Sequence, residues 1–298
     1  MSFSGAVLAA DAALEDADPA QLKEHIEETG AILLRGYRWD LAALEALTLG
    51  LCDRFHEVGT RVRLRQPGDG YTSEVFRENF TLLGHSEGTY RPWPPPPEVC
   101  IFGCITPPAA PGGETLVVDG VAFARALSAE LRQRLLESGV RYESHWGRER
   151  WQAEFGVADT PALHALLRQL PGVRYAVEGE NLHLLYTTAA LAPTPSGDLA
   201  FANGVLAHLS HIAHPRYREA RAYANASNRV CFGDGSELDD AAINHLIDVH
   251  DRIAHPHRWQ AGDVLILDNR RFMHGRRMTT VPCERVLVSR FGRLRRSP

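Results

Sequence analysis

Two groups of short β-strand patterns, separated by a more helical stretch, constrain the fold of this chain most strongly. Apolar runs typical of strands occupy residues 31–34, 99–105 and 114–119 before the stretch, and 263–269 and 285–292 after it. This order predicts an α+β fold whose core is a double-stranded β-helix (jelly roll) of mainly antiparallel strands, with flanking helices and a helical insertion. A doubly wound parallel sheet does not fit it.

We expect the whole chain, residues 1–298, to form one domain, with the helical insertion at roughly 121–170. The segment RPWPPPPE at residues 91–98 is too rich in proline for a helix or a central strand. It is either a linker between domains or a rigid loop. We favour the rigid loop, because the strand pattern VCIFGCI follows at once.

Helices are predicted where apolar residues recur at helical spacing. The helix patterns cover residues 19–29, 41–55, roughly 121–138, and 237–254. Gly30 is expected to end the first helix, and Pro256 to stop the last one. The sequence His255-Pro256-His257 is therefore interpreted as a loop that ends the helix.

Composition excludes several functional classes. A formal net charge of −5 offers no basic surface for nucleic acid, and no apolar stretch approaches the length of a membrane span. Neither G-x-G-x-x-G nor G-x-x-x-x-G-K-[ST] occurs, which disfavours nucleotide cofactors. The N-terminus lacks the basic region of a signal peptide. The five cysteines are scattered, which is typical of the reducing cytoplasm.

The triplet His85-Ser86-Glu87 is the first candidate for chemistry. On an extended segment, residues two apart point the same way, so His85 and Glu87 can bind one ion together. A third ligand, His274, completes a two-histidine, one-carboxylate set, which leaves open positions on a non-haem iron for substrates.

The triplet alone is weak evidence for a metal site. With 14 His and 37 acidic residues in 298 positions, about 1.7 chance matches to H-x-[DE] are expected. One chance match is His25-Ile26-Glu27. It lies in a predicted helix, where residues two apart diverge, so we interpret it as solvated surface.

The wider sequence context resembles a known family. Gly84-His85-Ser86-Glu87 is followed by the proline-rich segment and by PGGET at residues 111–115. GDVLILDNR at 262–270, HGR at 274–276 and a later Arg285 complete the series. Together they resemble the taurine dioxygenase/clavaminate synthase superfamily of iron(II)- and 2-oxoglutarate-dependent oxygenases. GVRYESHWGRERWQAEFG and TPSGDLAFANG are most similar to its amino-acid hydroxylase branch, which includes the syringomycin-type aspartate hydroxylases.

The resemblance implies roles for individual residues. His85, Glu87 and His274 match the iron ligands. Thr115 matches the residue that hydrogen-bonds the distal carboxylate of 2-oxoglutarate, and Arg285 matches the arginine that binds the same carboxylate. A planar guanidinium suits that task, because it can form two parallel charge-assisted hydrogen bonds.

Two further residues are candidates for substrate binding. Asn203 falls where the family places an asparagine on the substrate side. The family often has a second arginine four residues after the first, but Ser289 stands there and Arg290 comes one residue later. A shift of one residue reverses the face of a strand. Arg290 therefore either binds an acidic group of the substrate or faces away from it.

The resemblance also implies a reaction. Fe(II), 2-oxoglutarate and O2 would oxidise an unactivated C–H bond of an amino acid or amino-acid derivative, either free or carrier-bound, in specialised metabolism. Hydroxylation is the expected outcome, with desaturation, epoxidation and cyclisation as alternatives. Relatives that halogenate lack the carboxylate ligand, so Glu87 predicts oxygenation. The expected partner is a small molecule, with neither nucleic acid nor membrane, and homo-oligomerisation stays open.

Other readings of the sequence remain. His208, His211 and His214 have near-helical spacing, but no acid or cysteine stands at ligand spacing, so we interpret them as structural or surface residues. The aromatic residues Tyr71, Phe80, Tyr90 and Trp93 either line the pocket, pack in the core or lie exposed. A non-catalytic jelly-roll binding protein and a zinc hydrolase are the functional alternatives. The first needs no such set of ligands, and the second would not require 2-oxoglutarate.

Overall fold

The structure is a computed structural model that describes residues 5–56, 68–75, 81–209, 228–279 and 285–296. Its strands are β1 (Ala6–Ala9), β2 (Ala31–Arg35), β3 (Cys52–Phe55), β4 (Ser73–Glu74), β5 (Leu82–His85), β6 (Val99–Thr106), β7 (Thr115–Asp119), β8 (Val140–Trp146), β9 (Val173–Glu178), β10 (Asn181–Thr188), β11 (Ala192–Pro193), β12 (Leu199–Ala200), β13 (Asn228–Phe232), β14 (His255–His257), β15 (Val264–Asp268), β16 (Phe272–Arg276) and β17 (Val286–Leu294). Its helices are α1 (Pro19–Thr29), α2 (Leu41–Leu51), α3 (Gly120–Ala126), α4 (Ala129–Ser138), α5 (Arg148–Phe155), α6 (Thr160–Leu167), α7 (Val205–His208) and α8 (Asp240–Ile253).

Two sheets of mainly antiparallel strands form the jelly roll. The larger sheet has the order β1-β2-β15-β6-β17-β3, and β4 also pairs with β17. The smaller sheet has the order β14-β7-β16-β5. Strands from both ends of the chain alternate in each sheet, so the register depends on contacts that are distant in sequence. The prediction of a jelly-roll core with flanking helices is confirmed.

Apolar side chains from both sheets meet in the interior of the jelly roll. Strand residues alternate between the two faces of a sheet. Phe102, Leu265 and Leu287 of the larger sheet face inward and meet Val117 and Phe272 of the smaller one. All five are buried, and each such side chain contributes roughly 1.5–3 kcal/mol through its removal from water. This interior layer sets the spacing between the sheets at the site described below.

Helices α1 and α2 cover the outer face of the larger sheet. Asp18 caps α1, Pro19 stands at its first turn, and Gly30 ends it in the left-handed conformation. The helix over residues 19–29 is therefore found as predicted. The side chains of Leu22 and Ile26 on α1 join the buried cluster on this outer face.

The helical insertion lies beyond the outer face of the smaller sheet. Residues 121–170 contain α4, α5, α6 and most of α3, but they also contain strand β8. This strand joins a third sheet of order β13-β8-β10-β9. Within the part of the chain that the structure describes, no helix is long and apolar enough to cross a membrane.

Three predictions of local structure need correction. The helix expected at 41–55 ends at Leu51, because Cys52–Phe55 pairs with β17 instead. The helix expected at 121–138 is broken between α3 and α4, where Ser128 caps the second helix. Residues His255–His257 form strand β14 against β7 and not a loop, because Pro256 sits at the edge of that sheet.

Candidate active site

Two paired strands bring the proposed metal ligands together. His85 is the last residue of β5, and its register partner on β16 is His274. Directly opposed residues of an antiparallel pair point to the same face. The two imidazole ring centroids therefore lie 4.5 Å apart. Nε2 of His85 is 4.0 Å from Oε2 of Glu87, and the ligand atoms of all three residues lie within 4.8 Å of one another.

All three residues are buried, with exposed fractions of 7–9%. Among the described residues, no other group of three or more His, Cys, Asp or Glu side chains is close enough to share an ion. Ligands on adjacent corners of an octahedral ion, bound at about 2.1 Å, stand about 3 Å apart. Small rotations of these side chains close the remaining distance, so the donor set fits a divalent metal of the iron type.

A hydrogen bond orients the imidazole of His85. Its Nδ1 lies 3.3 Å from the carbonyl oxygen of Leu83. A carbonyl can only accept, so this contact requires the proton to be on Nδ1. The lone pair is then left on Nε2, the atom that faces Glu87. Metal-binding histidines generally use the second ring nitrogen in this way, because it fixes the tautomer and the orientation of the ring.

Asn269 holds the backbone of Glu87 from two sides. Its Oδ1 accepts a hydrogen bond from the Glu87 N–H at 2.7 Å. Its Nδ2 donates to the carbonyl oxygens of Glu87 at 3.0 Å and Pro97 at 2.9 Å. One buried amide thus ties the acidic ligand to the proline-rich loop at 91–98. Sequence reasoning quoted Asn269 within the DNR motif but gave it no role.

The two residues expected to bind 2-oxoglutarate lie near the start of β7. Thr115 opposes Arg276 on β16, two residues beyond His274, so its side chain faces the same side as His274. Arg285 donates from Nη1 to the carbonyl oxygen of Gly113 at 2.7 Å, two residues before Thr115. Both side chains are buried. The structure therefore brings Arg285 and Thr115 together around one short segment.

Trp259 orients the hydroxyl group of Thr115. The indole Nε1 donates to Thr115 Oγ1 at 3.1 Å. An indole N–H can only donate, so the hydroxyl oxygen is the acceptor and its own proton can point towards another acceptor. Thr115 therefore keeps its hydroxyl proton available for a further acceptor.

Arg290 lies on the other face of β17. Leu287 and Phe291 point into the jelly roll, while Val288 packs on the helix-covered side. Arg290 comes two residues after Val288, so its side chain points to the same face of β17. Its guanidinium forms two hydrogen bonds with Asp69, at 2.9 and 2.6 Å. The structure thus resolves the open choice for Arg290 in favour of the face away from the site.

Arg290 also contacts Thr72 and Phe55 on that outer face. It donates to the hydroxyl oxygen of Thr72 at 2.6 Å, and it lies over the Phe55 ring at 4.5 Å. The residue is fully buried. Its position is therefore that of a structural ion pair within the outer cluster.

The side chain of Asn203 braces a loop. Its Nδ2 donates to the Ala190 carbonyl oxygen at 2.8 Å, and its Oδ1 accepts from the Val205 N–H at 2.9 Å. Its backbone carbonyl accepts from the Ser86 N–H, inside the ligand triplet. Asn203 thus positions the chain between His85 and Glu87 through its backbone, and its role in substrate binding stays a prediction.

The remaining candidates have other contacts or lie outside the described residues. His25 is on α1 with a partly exposed side chain, as expected for a chance match. His208 makes a 2.8 Å hydrogen bond from Nδ1 to the Gly204 carbonyl, and its ring lies 4.8 Å from that of Tyr90. His211, His214 and Phe80 lie outside the described residues. Tyr71 packs against Phe55, away from the jelly-roll interior.

Comparisons with known proteins identify the family of this chain. A family model described as Taurine catabolism dioxygenase TauD, TfdA family matches residues 2–290. Dapdiamide synthesis protein DdaC of Enterobacter agglomerans is 24% identical over 293 residues, which cover 86% of this chain and 80% of that protein.

Solved structures show the same fold. A taurine dioxygenase from Burkholderia xenovorans aligns with a TM-score of 0.57 at 14% identity, covering 99% of this chain and 88% of that one. Asparagine oxygenase, in complex with Fe(II), 2S,3S-3-hydroxyasparagine and succinate, aligns with a TM-score of 0.56 at 16% identity. That alignment covers 92% of this chain and 77% of the asparagine oxygenase chain.

Proposed function

This chain belongs to the taurine catabolism dioxygenase (TauD, TfdA) family of iron(II)- and 2-oxoglutarate-dependent oxygenases, and we propose that it oxidises a C–H bond of an amino acid or amino-acid derivative. In this proposal His85, Glu87 and His274 hold the iron. The observation that carries it is the cluster of three buried ligand atoms within 4.8 Å of one another.

Arg285 and Thr115 bind the co-substrate in this proposal. The Arg285 guanidinium neutralises the distal carboxylate of 2-oxoglutarate, and the Thr115 hydroxyl donates a hydrogen bond to it. Their support is the shared position around Gly113, on the face of the sheet that carries His274. Iron with 2-oxoglutarate activates O2 for oxidation of a C–H bond, while 2-oxoglutarate becomes succinate and CO2.

The substrate class rests on the relatives and on the carboxylate ligand. The asparagine oxygenase structure contains 3-hydroxyasparagine, and the DdaC protein, by its name, serves dapdiamide synthesis. We propose hydroxylation in specialised metabolism, with desaturation, epoxidation or cyclisation as alternative outcomes. Glu87 supports oxygenation over chlorination, because a halide would need the position that this carboxylate takes.

The proposed setting is the cytoplasm. Cys52, Cys104 and Cys231 are buried free thiols, which suits a reducing compartment. The proposed partner is a small molecule.

A decarboxylation screen tests the proposed function. The protein is loaded with Fe(II) without oxygen, then given 2-oxoglutarate, O2 and a panel of L-amino acids and derivatives. We expect succinate to form faster with one chemical subset, and the product mass to rise by one oxygen even with excess chloride. An absence of both iron uptake and succinate would favour a binding protein. Hydrolysis that persists without O2 and 2-oxoglutarate would favour a zinc enzyme.

A further inference from the structure

Arg91 stands at the start of the proline-rich loop, four residues after Glu87. Its N–H donates to the Gly88 carbonyl oxygen at 3.4 Å, which closes a turn directly behind the acidic ligand. Gly88 in that turn lies against Pro96 and Pro97. The turn is therefore held between the ligand and the rigid loop, and it fixes the place from which the Arg91 side chain extends.

The guanidinium of Arg91 meets a residue of the helical insertion. Its Nη1 lies 3.3 Å from Oε2 of Glu154 on α5. The side chain of Arg91 is 15% exposed and that of Glu154 is 30% exposed. Helix α5 is itself anchored to the third sheet, since Trp151 donates from Nε1 to the Glu180 carbonyl oxygen. The insertion thus presents a carboxylate to the turn that follows Glu87.

Arg91 carries a permanent positive charge close in sequence to the proposed iron ligand. Burial alone lowers the pKa of Arg91, but interactions with Tyr90, Glu87 and Glu154 outweigh it and raise the pKa above its usual value. The guanidinium therefore stays charged although only 15% of the side chain is exposed.

The ion pair with Glu154 does not use the Nε–H donor of Arg91. Among the residues that the structure describes, none hydrogen-bonds the buried Nε of Arg91. A buried donor without an acceptor is costly, so an acceptor that reached the Nε of Arg91 would be bound favourably. A carboxylate that binds Nε and a terminal nitrogen side by side would satisfy it.

We propose that Arg91 and Glu154 recognise the α-carboxylate and the α-ammonium group of a free α-amino acid. A cation and an anion 3.3 Å apart are complementary to the two charges of such a zwitterion. The inference rests on the proposed oxygenase function and deepens it. A carrier-bound substrate has no free α-carboxylate, so this pair selects the free amino acid.

Variants of the pair test the proposal on the holoenzyme. Succinate formation is measured with the proteinogenic L-amino acids, their α-carboxamides and their α-thioesters. In the wild type, we expect at least one free acid to be a better substrate than its carboxamide and thioester. Arg91→Gln should raise the KM for that acid by about 10–100-fold, the range for hydrogen bonds to charged groups, and should abolish the preference for the acid over the amide.

Three further variants separate recognition from folding. Arg91→Lys keeps the charge and should recover part of the preference. Glu154→Gln should raise the KM of the free amino acid more than that of its N-acetyl derivative. Arg148→Gln is the matched control, because it removes an exposed ion pair with Glu180 from the same helix. It should leave both KM values unchanged, as should the KM for 2-oxoglutarate in every variant.

The outcomes separate this inference from the proposed function. Iron binding and 2-oxoglutarate binding are measured on the same preparations, and their absence would defeat the proposed function. If both bind but the wild type prefers carboxamides or thioesters, or turns over no free amino acid, the inference is overturned while the oxygenase assignment stands. A preference that survives in Arg91→Gln overturns it as well.

Discussion

The proposed site has two ends that differ in how their side chains are held. The cofactor end consists of His85, Glu87, His274, Thr115 and Arg285, and the first, third and fourth of these belong to paired strands of one sheet. The substrate end consists of Arg91, from a turn, and Glu154, from the helical insertion. A strand ladder fixes three residues of the first end, and one ion pair joins the two elements of the second.

This difference suggests that the two ends of the proposed site have different functions. Ligands set by strand register cannot shift singly, because the neighbouring hydrogen bonds of the ladder would have to break. A turn and an inserted helix tolerate substitution far better, since their backbones are not in the central sheets. We infer that chemistry is encoded in the jelly roll and substrate choice in the elements attached to it.

Loss of His274 should have the largest effect. His274→Ala removes one of three proposed ligands, so iron affinity should fall by more than the roughly 10–100-fold that follows loss of a mere supporting residue. Equilibrium dialysis of Fe(II) without oxygen measures this directly. The matched control is His25→Ala, from the chance triplet on α1, which should bind iron as the wild type does. Equal affinity in both variants would remove His274 from the site.

Loss of the Arg285 side chain should weaken the binding of 2-oxoglutarate and leave the binding of iron unchanged. Arg285→Gln removes the charge that we place on the distal carboxylate, so the KM for 2-oxoglutarate should rise by about 10–100-fold. Iron affinity in the absence of 2-oxoglutarate should be unchanged, which distinguishes this effect from that of His274→Ala. An unchanged KM for 2-oxoglutarate would contradict the assignment.

Arg290, five residues after Arg285, should affect stability and not the binding of 2-oxoglutarate. Arg290→Gln breaks a buried pair with partly exposed Asp69, and should lower the free energy of unfolding by about 2–3 kcal/mol. The KM for 2-oxoglutarate should not change. A substrate or co-substrate role for Arg290 would give the reverse pattern, a raised KM with normal stability. Chemical denaturation and steady-state kinetics on one preparation distinguish the two.

The stability effect of Arg290→Gln should depend on pH. Burial raises the pKa of Asp69, but hydrogen bonds from Arg290 and from the Tyr71 N–H outweigh it, so the pKa lies below its usual value. A carboxyl group with a lowered pKa in the folded state stabilises the protein above its unfolded pKa of about 3.9. That contribution is lost as pH falls through the folded pKa. The difference between variant and wild type should therefore shrink below about pH 4.

Thr115→Val should have the smallest effect. It keeps the shape of the side chain but removes one hydroxyl group, which contributes roughly 1 kcal/mol to binding of the carboxylate, or about fivefold in the KM for 2-oxoglutarate. The variant also leaves Trp259 Nε1 without its acceptor. Trp259→Phe is the control: it should change the KM by less than Thr115→Val if the hydroxyl group acts on the co-substrate directly.

Local signals in the sequence predicted the elements with clear boundaries. Pro19 and Gly30 marked both ends of α1, and the apolar runs gave β2, β6, β15 and β17. The helix at 41–55 was predicted too long, because the pairing of Cys52–Phe55 with β17 involves residues about 240 positions away. Strand β14 was missed for a similar reason, since Pro256 suggested only a stop.

The sequence predicted which residues form the candidate metal site, but not how these residues are arranged in space. His85, Glu87 and His274 came from a motif and a resemblance, but their proximity depends on the register of β5 with β16. The one-residue shift to Arg290 correctly raised the question of its face, which the alternation along β17 then answered. Arg91 and Glu154 carried no sequence signal, because they meet only through the turn after Glu87 and the placement of α5.

The most direct test of the central claim is an anomalous-diffraction map of crystals loaded with Fe(II) and 2-oxoglutarate without oxygen. The account predicts a single iron peak bounded by His85, Glu87 and His274, with co-substrate density that extends to Arg285 and Thr115. An iron peak elsewhere, or 2-oxoglutarate bound away from Arg285, would contradict it.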